Sequence, residues 1–202
     1  MGIRQHSDVR KRLVTLTGPS YGGKTTLVRK LQDTGHYVEV LSFTSRKPRS
    51  GEVEGVDYYF KTEDDCRDLV FAGKTAEHIE FKGNFYGIEK TEIDAKMGTE
   101  KIPVVIVEPN GLSQLKEKYD CFSVYLDCDL MKLYERFLSR FRMSLTSDVK
   151  YEAKRVAAIR SEHDNWKTDV GGINYFVKEY TDETEAAIIA KLLHETLPIP
   201  KT

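Results

Sequence analysis

Gly18-Pro19-Ser20-Tyr21-Gly22-Gly23-Lys24-Thr25-Thr26 constrains this chain more than any other stretch. It fits the pattern Gly, four residues, Gly-Lys-Ser/Thr without a mismatch, and each residue type meets a physical demand. Glycines let the backbone curl so that successive N–H groups point at phosphate oxygens. Lys24 can reach the β- and γ-phosphates, and the Thr25 hydroxyl can ligate Mg²⁺. The bare pattern arises by chance in roughly one chain of this length in a hundred, so the flanks must decide. Leu13–Thr17 before it is a short β-prone run, and Thr26–Leu31 after it has helical spacing. Strand, loop and helix follow in the order a phosphate-binding loop requires, and Lys24 is expected to face solvent.

At 202 residues, with 40% hydrophobic and 31% charged positions, the chain suits one domain with small inserted lobes. A formal net charge of −1 implies no general attraction to nucleic acid. Phosphate binding must then come from local basic groups. Cys66, Cys121 and Cys128 are odd in number and too scattered for zinc, and the histidines never cluster, so no metal beyond magnesium is indicated. Met1–Arg12 carries charge but no apolar signal segment, and the longest apolar run, Val104–Val107, is short. A cytosolic, soluble protein that does not engage a membrane is expected.

Along the chain, Gly35 ends the first helix and Tyr37–Phe43 alternates as a second strand. Thr44–Glu52 then brings Arg46, Lys47 and Arg49 together around Pro48, which forbids an ordinary helical face. Arginine forks at a rigid turn suit a phosphate monoester. An aromatic strand is expected over Gly55–Phe60, a helix capped by Thr62 over residues 62–71, and a β segment over Ala76–Phe81 leading through Gly83-Asn84 into a hairpin. Tyr58 and Tyr86 read as edge-strand aromatics whose hydroxyls can also hold a phosphate. Ile88–Met97 reads as a helix and Pro103–Glu108 as a buried strand. Its terminal acid, Glu108, lies where parallel sheets place ligands and can hold a magnesium shell through water. Phe122–Leu126 is a further strand. Leu130–Phe141 and Tyr151–Trp166 are helices bearing Arg136, Arg140, Arg155 and Arg160, joined by the polar stretch Met143–Val149; together they suggest a lid. Tyr175–Val177 and Thr184–Leu197 close an alternating α/β pattern with a parallel sheet.

Gly-Pro-Ser-Tyr-Gly-Gly-Lys-Thr-Thr-Leu, Ser-Arg-Lys-Pro-Arg-Ser-Gly-Glu-Val-Glu-Gly-Val-Asp-Tyr-Tyr-Phe and Glu-Phe-Lys-Gly-Asn-Phe-Tyr-Gly, in that order, resemble the guanylate kinases from about Leu13 to Leu193. The resemblance implies a P-loop kinase core, a small β-rich lobe for the nucleoside monophosphate and a helical lid. In this chain these would be residues 13–41 and 102–197, about 42–90, and about 136–160. It implies transfer of the γ-phosphoryl of Mg·ATP to GMP or dGMP. Gly18, Ser20, Gly22, Gly23, Lys24, Thr25 and Thr26 would bind ATP. Arg46, Arg49, Tyr58 and Tyr86 would hold the acceptor phosphate, with Glu52 a further site residue and Glu108 the strand-end acid. Ser42 and Glu77 would face guanine, whose N1–H and N2–H₂ donors suit a carboxylate. Lys24, Arg46, Arg136, Arg140 and Arg155 would stabilise the transferring phosphoryl.

The chain departs from the family pattern at Tyr21, where Gly is usual, at Ile88 and Ile106, where polar residues are usual, at Phe141 and at Lys178. Ile88 and Ile106 touch base and sugar handling and Lys178 lies where the family meets the donor adenine, while the phosphate-handling residues are in place. Two alternatives stay open from sequence: a deoxynucleoside monophosphate kinase of altered base preference, and a kinase-like module that binds a protein without catalysis. Intact Lys24 and Thr25 weigh against the module. Oligomeric state is not encoded in any motif.

Overall fold

The structure, a computed structural model, describes residues 12–49, 51–81, 83–142, 149–178 and 180–196. Leu13–Thr17 (β1) is buried at every position and lies at the centre of a five-stranded sheet. Its neighbours are Ile102–Ile106 (β7) and Cys121–Leu126 (β8), both parallel to it, and Tyr37–Glu39 (β2) and Tyr175–Val177 (β9) form the edges. Such a strand needs apolar side chains on both faces. Val14 and Leu16 point to one side, where they meet Leu27, Val28 and Leu31 of Lys24–Asp33 (α1) and Ile188 and Leu192 of Asp182–Thr196 (α7). Leu13 faces the other side, with Ile93 of Lys90–Met97 (α3) and Leu112 and Leu115 of Pro109–Lys116 (α4). Truncating one of these fully buried leucines to alanine would cost about 2–5 kcal/mol.

A second sheet of four strands is ordered Tyr59–Phe60 (β4), Phe43–Thr44 (β3), Asn84–Glu89 (β6) and Thr75–Phe81 (β5). The expected strand over Tyr37–Phe43 is therefore two. Val40 N still donates to Val104 O at 2.8 Å, after which the chain leaves the first sheet and Phe43 pairs with Gly87 in the second. Gly55–Phe60 contributes only two strand residues, because Asp57 Oδ2 accepts from Val53 N at 2.8 Å and folds the preceding stretch into a turn. Helix α3 starts at Lys90 rather than Ile88, since Ile88 is directly paired with Glu77 across the β5–β6 ladder.

Glu63–Phe71 (α2) starts as expected: Thr62 Oγ1 accepts from Asp65 N at 3.1 Å, and Asp65 Oδ2 accepts from Thr62 N at 3.2 Å. Leu130–Arg142 (α5) and Val149–Asp169 (α6) carry the arginines singled out from sequence. The polar stretch between them falls at residues 143–148, outside the described residues. Among the described residues, no helix is long and apolar enough to cross a membrane.

Candidate active site

The phosphate loop connects the carboxyl end of β1 to α1. Gly23, the N-cap of α1, has φ 96°, and a Cβ there would come within 2.6 Å of the Tyr180 ring. Only glycine satisfies both conditions. Lys24 does not face solvent as the sequence suggested. It is half-buried, and Nζ donates to Gly18 O at 2.6 Å and Pro19 O at 2.8 Å. Burial lowers its pKa to about 8, against the pull of Glu162 and Glu108 and with help from Arg155. Thr25 and Thr26 are exposed on the first turn of α1.

Helices α5 and α6 meet the loop at Tyr21, the one non-glycine described residue with positive φ, at 67°. Arg136 Nη1 donates to Tyr21 O at 3.1 Å, and its Nη2 donates to Tyr180 O at 3.0 Å. The guanidinium carbons of Arg140 and Arg155 lie 5.8 and 5.4 Å from the Tyr21 ring centroid, while Phe137 packs edge-on against that ring at 5.5 Å. From α6, the buried Glu162 accepts from Ser20 N at 2.8 Å. A carboxylate thus occupies one of the loop's amides.

Strands β3 and β6 gather a second cluster. Arg46 makes a two-pronged pair with Glu52, with Nη1–Oε2 2.9 Å and Nη2–Oε1 3.0 Å, and Arg49 N donates to Glu52 Oε2 at 2.7 Å. Burial opposes both charges, yet their contact holds Arg46 above and Glu52 below its ordinary range. The Arg46 guanidinium lies 5.5 Å from the centroid of Tyr58, whose ring meets that of Tyr86 at 6.2 Å. Arg46 Nε is buried without a hydrogen-bond partner among the described residues.

A third group lies where the two sheets approach. Glu77 on β5 is 5% exposed, and burial followed by the negative charge of Glu108 raises its pKa to about 8. Helix α4 faces it with Gly111, at which a Cβ would fall 2.6 Å from Glu77 Oε2. Gln114 of α4 also caps the edge of β5, accepting from His78 N at 3.2 Å and donating to His78 O at 2.9 Å. Glu108 is within electrostatic reach of both Lys24 and Glu77. The carboxyl end of β7 therefore stands between the phosphate loop and the second sheet.

A family model described as guanylate kinase matches residues 10–181. This chain belongs to the guanylate kinase family. Human guanylate kinase is 34% identical to it over 158 residues, 77% of this chain and 79% of that protein. Guanylate kinase of Enterococcus faecalis is 32% identical over 157 residues, 76% of this chain and 75% of that protein. The crystal structure of guanylate kinase from Anaplasma phagocytophilum shares the fold, with a TM-score of 0.69 at 22% identity over 94% of this chain and 88% of that one.

Within this guanylate kinase fold, the sequence-selected residues fall into three neighbourhoods. Gly18, Ser20, Gly22, Gly23 and Lys24 build the loop, with Arg136, Arg140 and Arg155 around Tyr21. Arg46, Arg49, Glu52, Tyr58 and Tyr86 form the second, and Glu77 with Glu108 the third. Ser42 is half-buried just before β3, where its carbonyl accepts from Tyr59 N at 3.0 Å. Ile88 is fully buried in the core cluster rather than open to a ligand, and Ile106 is half-buried against the other cluster. Sequence reasoning passed over Glu162, an acid in a charged helix that nothing local marks as buried, and Gly111, which the Asn110-Gly111 pair disguises as a turn.

Proposed function

We infer that this chain transfers the γ-phosphoryl group of ATP to the phosphate of GMP. Membership of the guanylate kinase family carries that reading, and the intact phosphate loop with Lys24 at its centre supports it against a non-catalytic module. The five-stranded sheet with its helices is the kinase core, the four-stranded sheet is the acceptor lobe over about 42–90, and α5 with α6 is the lid over about 136–160.

Phosphoryl transfer asks the protein for placement and charge rather than covalent chemistry, and an already ionised acceptor phosphate needs no base. The phosphate loop and the Lys24 ammonium hold the donor phosphates, with Thr25 and Thr26 at the helix start. Arg136, Arg140 and Arg155 approach from the lid to neutralise charge on the group in transit. Arg46 and Arg49 hold the acceptor phosphate, helped by the hydroxyls of Tyr58 and Tyr86. The unpartnered Nε of Arg46 is a donor in place for an anion, and Glu52 keeps the guanidinium oriented until one arrives. Glu77, with Ser42, reads guanine, accepting from N1–H and N2–H₂ in its ionised form.

Mg²⁺ fits the donor set. Among the described residues no group of three or more acidic, histidine or cysteine side chains forms a cage of its own. An exposed Thr25 and a strand-end Glu108 suit an ion that keeps its waters and arrives with phosphate oxygens. Thr25 would hold the ion directly and Glu108 through water, and the bound ion would supply positive charge against the donor phosphates.

The test is ADP release from ATP with each common ribo- and deoxynucleoside monophosphate in turn. GMP and dGMP should be the best acceptors, and dGMP should match GMP or exceed it, because Ile106 replaces a polar family position. A non-guanine acceptor that outperforms both would remove the role given to Glu77, and no transfer to any acceptor would favour the binding module.

A further inference from the structure

In place of the usual family glycine, the phosphate loop carries a tyrosine in a backbone conformation that L side chains rarely adopt, at φ 67°. Such a position persists only where the surroundings hold it, and here they are cationic. Arg136 grips the Tyr21 carbonyl at 3.1 Å, and Arg140 and Arg155 lie 5.8 and 5.4 Å from the ring centroid. Arg155 Nε also reaches the Tyr21 hydroxyl at 3.5 Å. Three like charges repel one another, so each contact that draws them to the loop must offset that repulsion. An aromatic face, negative at its centre, and a carbonyl oxygen are the neutral groups able to hold guanidinium ions together.

We propose that Tyr21 is a positioning residue that gathers the lid arginines at the mouth of the phosphate loop before a nucleotide arrives. The inference rests on the transfer reaction proposed above and names how this chain prepares for it. Arginines already gathered lose little freedom when the phosphates enter, and that saving appears in the transition state, where their charge is used. Phe137, edge-on to the ring at 5.5 Å, keeps the ring from turning away. Tyr21 itself touches no reacting atom in this scheme.

Tyr21→Phe and Tyr21→Leu separate this role from packing. Both side chains fill the space beside Phe137, but only phenylalanine keeps the aromatic face. With saturating ATP and varied GMP, Tyr21→Phe should hold kcat within about twofold, whereas Tyr21→Leu should lower kcat about tenfold, as loss of two aromatic–cation contacts implies. KM for GMP should stay within about twofold in both, since the acceptor site lies in the other sheet. Thermal unfolding midpoints establish that each variant is folded. If Tyr21→Leu is not, Tyr21→Gly replaces it, because glycine suits the backbone angle, and the same loss of kcat is expected. Wild-type kcat in the leucine or glycine variant would overturn the proposal, and so would a phenylalanine variant as impaired as leucine, which would transfer the role to the hydroxyl. A wild-type protein inactive on GMP would instead sink the reaction assigned above.

Discussion

A buried carboxyl group with a pKa near 8 is poorly suited to recognising guanine until it loses a proton. Glu77 is in that state, held neutral by burial and by Glu108. Because its folded pKa lies above the unfolded value of 4.5, the folded protein binds the extra proton between those values. Its contribution to stability is fully present below about 4.5 and is lost as pH rises through about 8. Guanine accepts nothing from a neutral carboxyl at N1 or N2, so binding GMP must release the proton. Wild-type affinity for GMP should therefore tighten between pH 7 and 8.5, by at most about tenfold per pH unit, with proton release visible as a buffer-dependent calorimetric heat. Glu77→Gln should lose both effects and should be more stable than wild type above pH 8. A pH-independent wild-type affinity matching that of the variant would place guanine elsewhere.

Helix α6 reaches further into the chemistry than its charged sequence suggests. Its Glu162 holds Ser20 N and raises the pKa of Lys24, which burial has lowered to about 8. The lysine must be charged to meet a triphosphate, so kcat/KM for ATP, which reports the free enzyme, should fall above pH 8 by about tenfold per unit. Glu162→Gln keeps a hydrogen-bond acceptor for Ser20 and removes the negative charge, so this alkaline limb should move to lower pH. A limb that stays in place or moves up would detach Glu162 from Lys24. Elements of this kind were only partly legible. The end of α1 and the start of α2 follow from Gly35 and Thr62 because caps act locally. Helix α4 escaped because its eight residues open with Pro109-Asn110-Gly111 and its helicity is settled by burying Leu112 and Leu115. Ile88 joined β6 instead of α3 because its partner, Glu77, comes from another part of the chain, and pairing outweighed local periodicity.

At the scale of the molecule, the proposed transfer reaction would divide the work between the two sheets. Arg46 belongs to the four-stranded sheet and Lys24 to the five-stranded one, so Arg46→Ala should raise KM for GMP on the order of 10–100-fold, equivalent to about 1.5–3 kcal/mol, while KM for ATP stays within a few-fold. The opposite pattern in steady-state kinetics would exchange donor and acceptor sides. Local motifs revealed the phosphate loop and the basic turn, since each is built from neighbours in sequence. The convergence on Tyr21 and the meeting of Glu77, Glu108 and Gly111 were hidden, since they join residues from distant elements.

The order of strands also has a consequence during synthesis. The phosphate loop leaves the ribosome well ahead of the strands that flank β1, which among the described residues are β7 and β8, through Val14 with Val104 and Val14 with Phe122. At about 5–20 residues per second, the wait for those partners lasts on the order of ten seconds. Throughout it, Leu13, Val14 and Leu16 have no native strand to cover them, and a nascent chain halted before Ile102 should carry a phosphate loop unable to hold its shape.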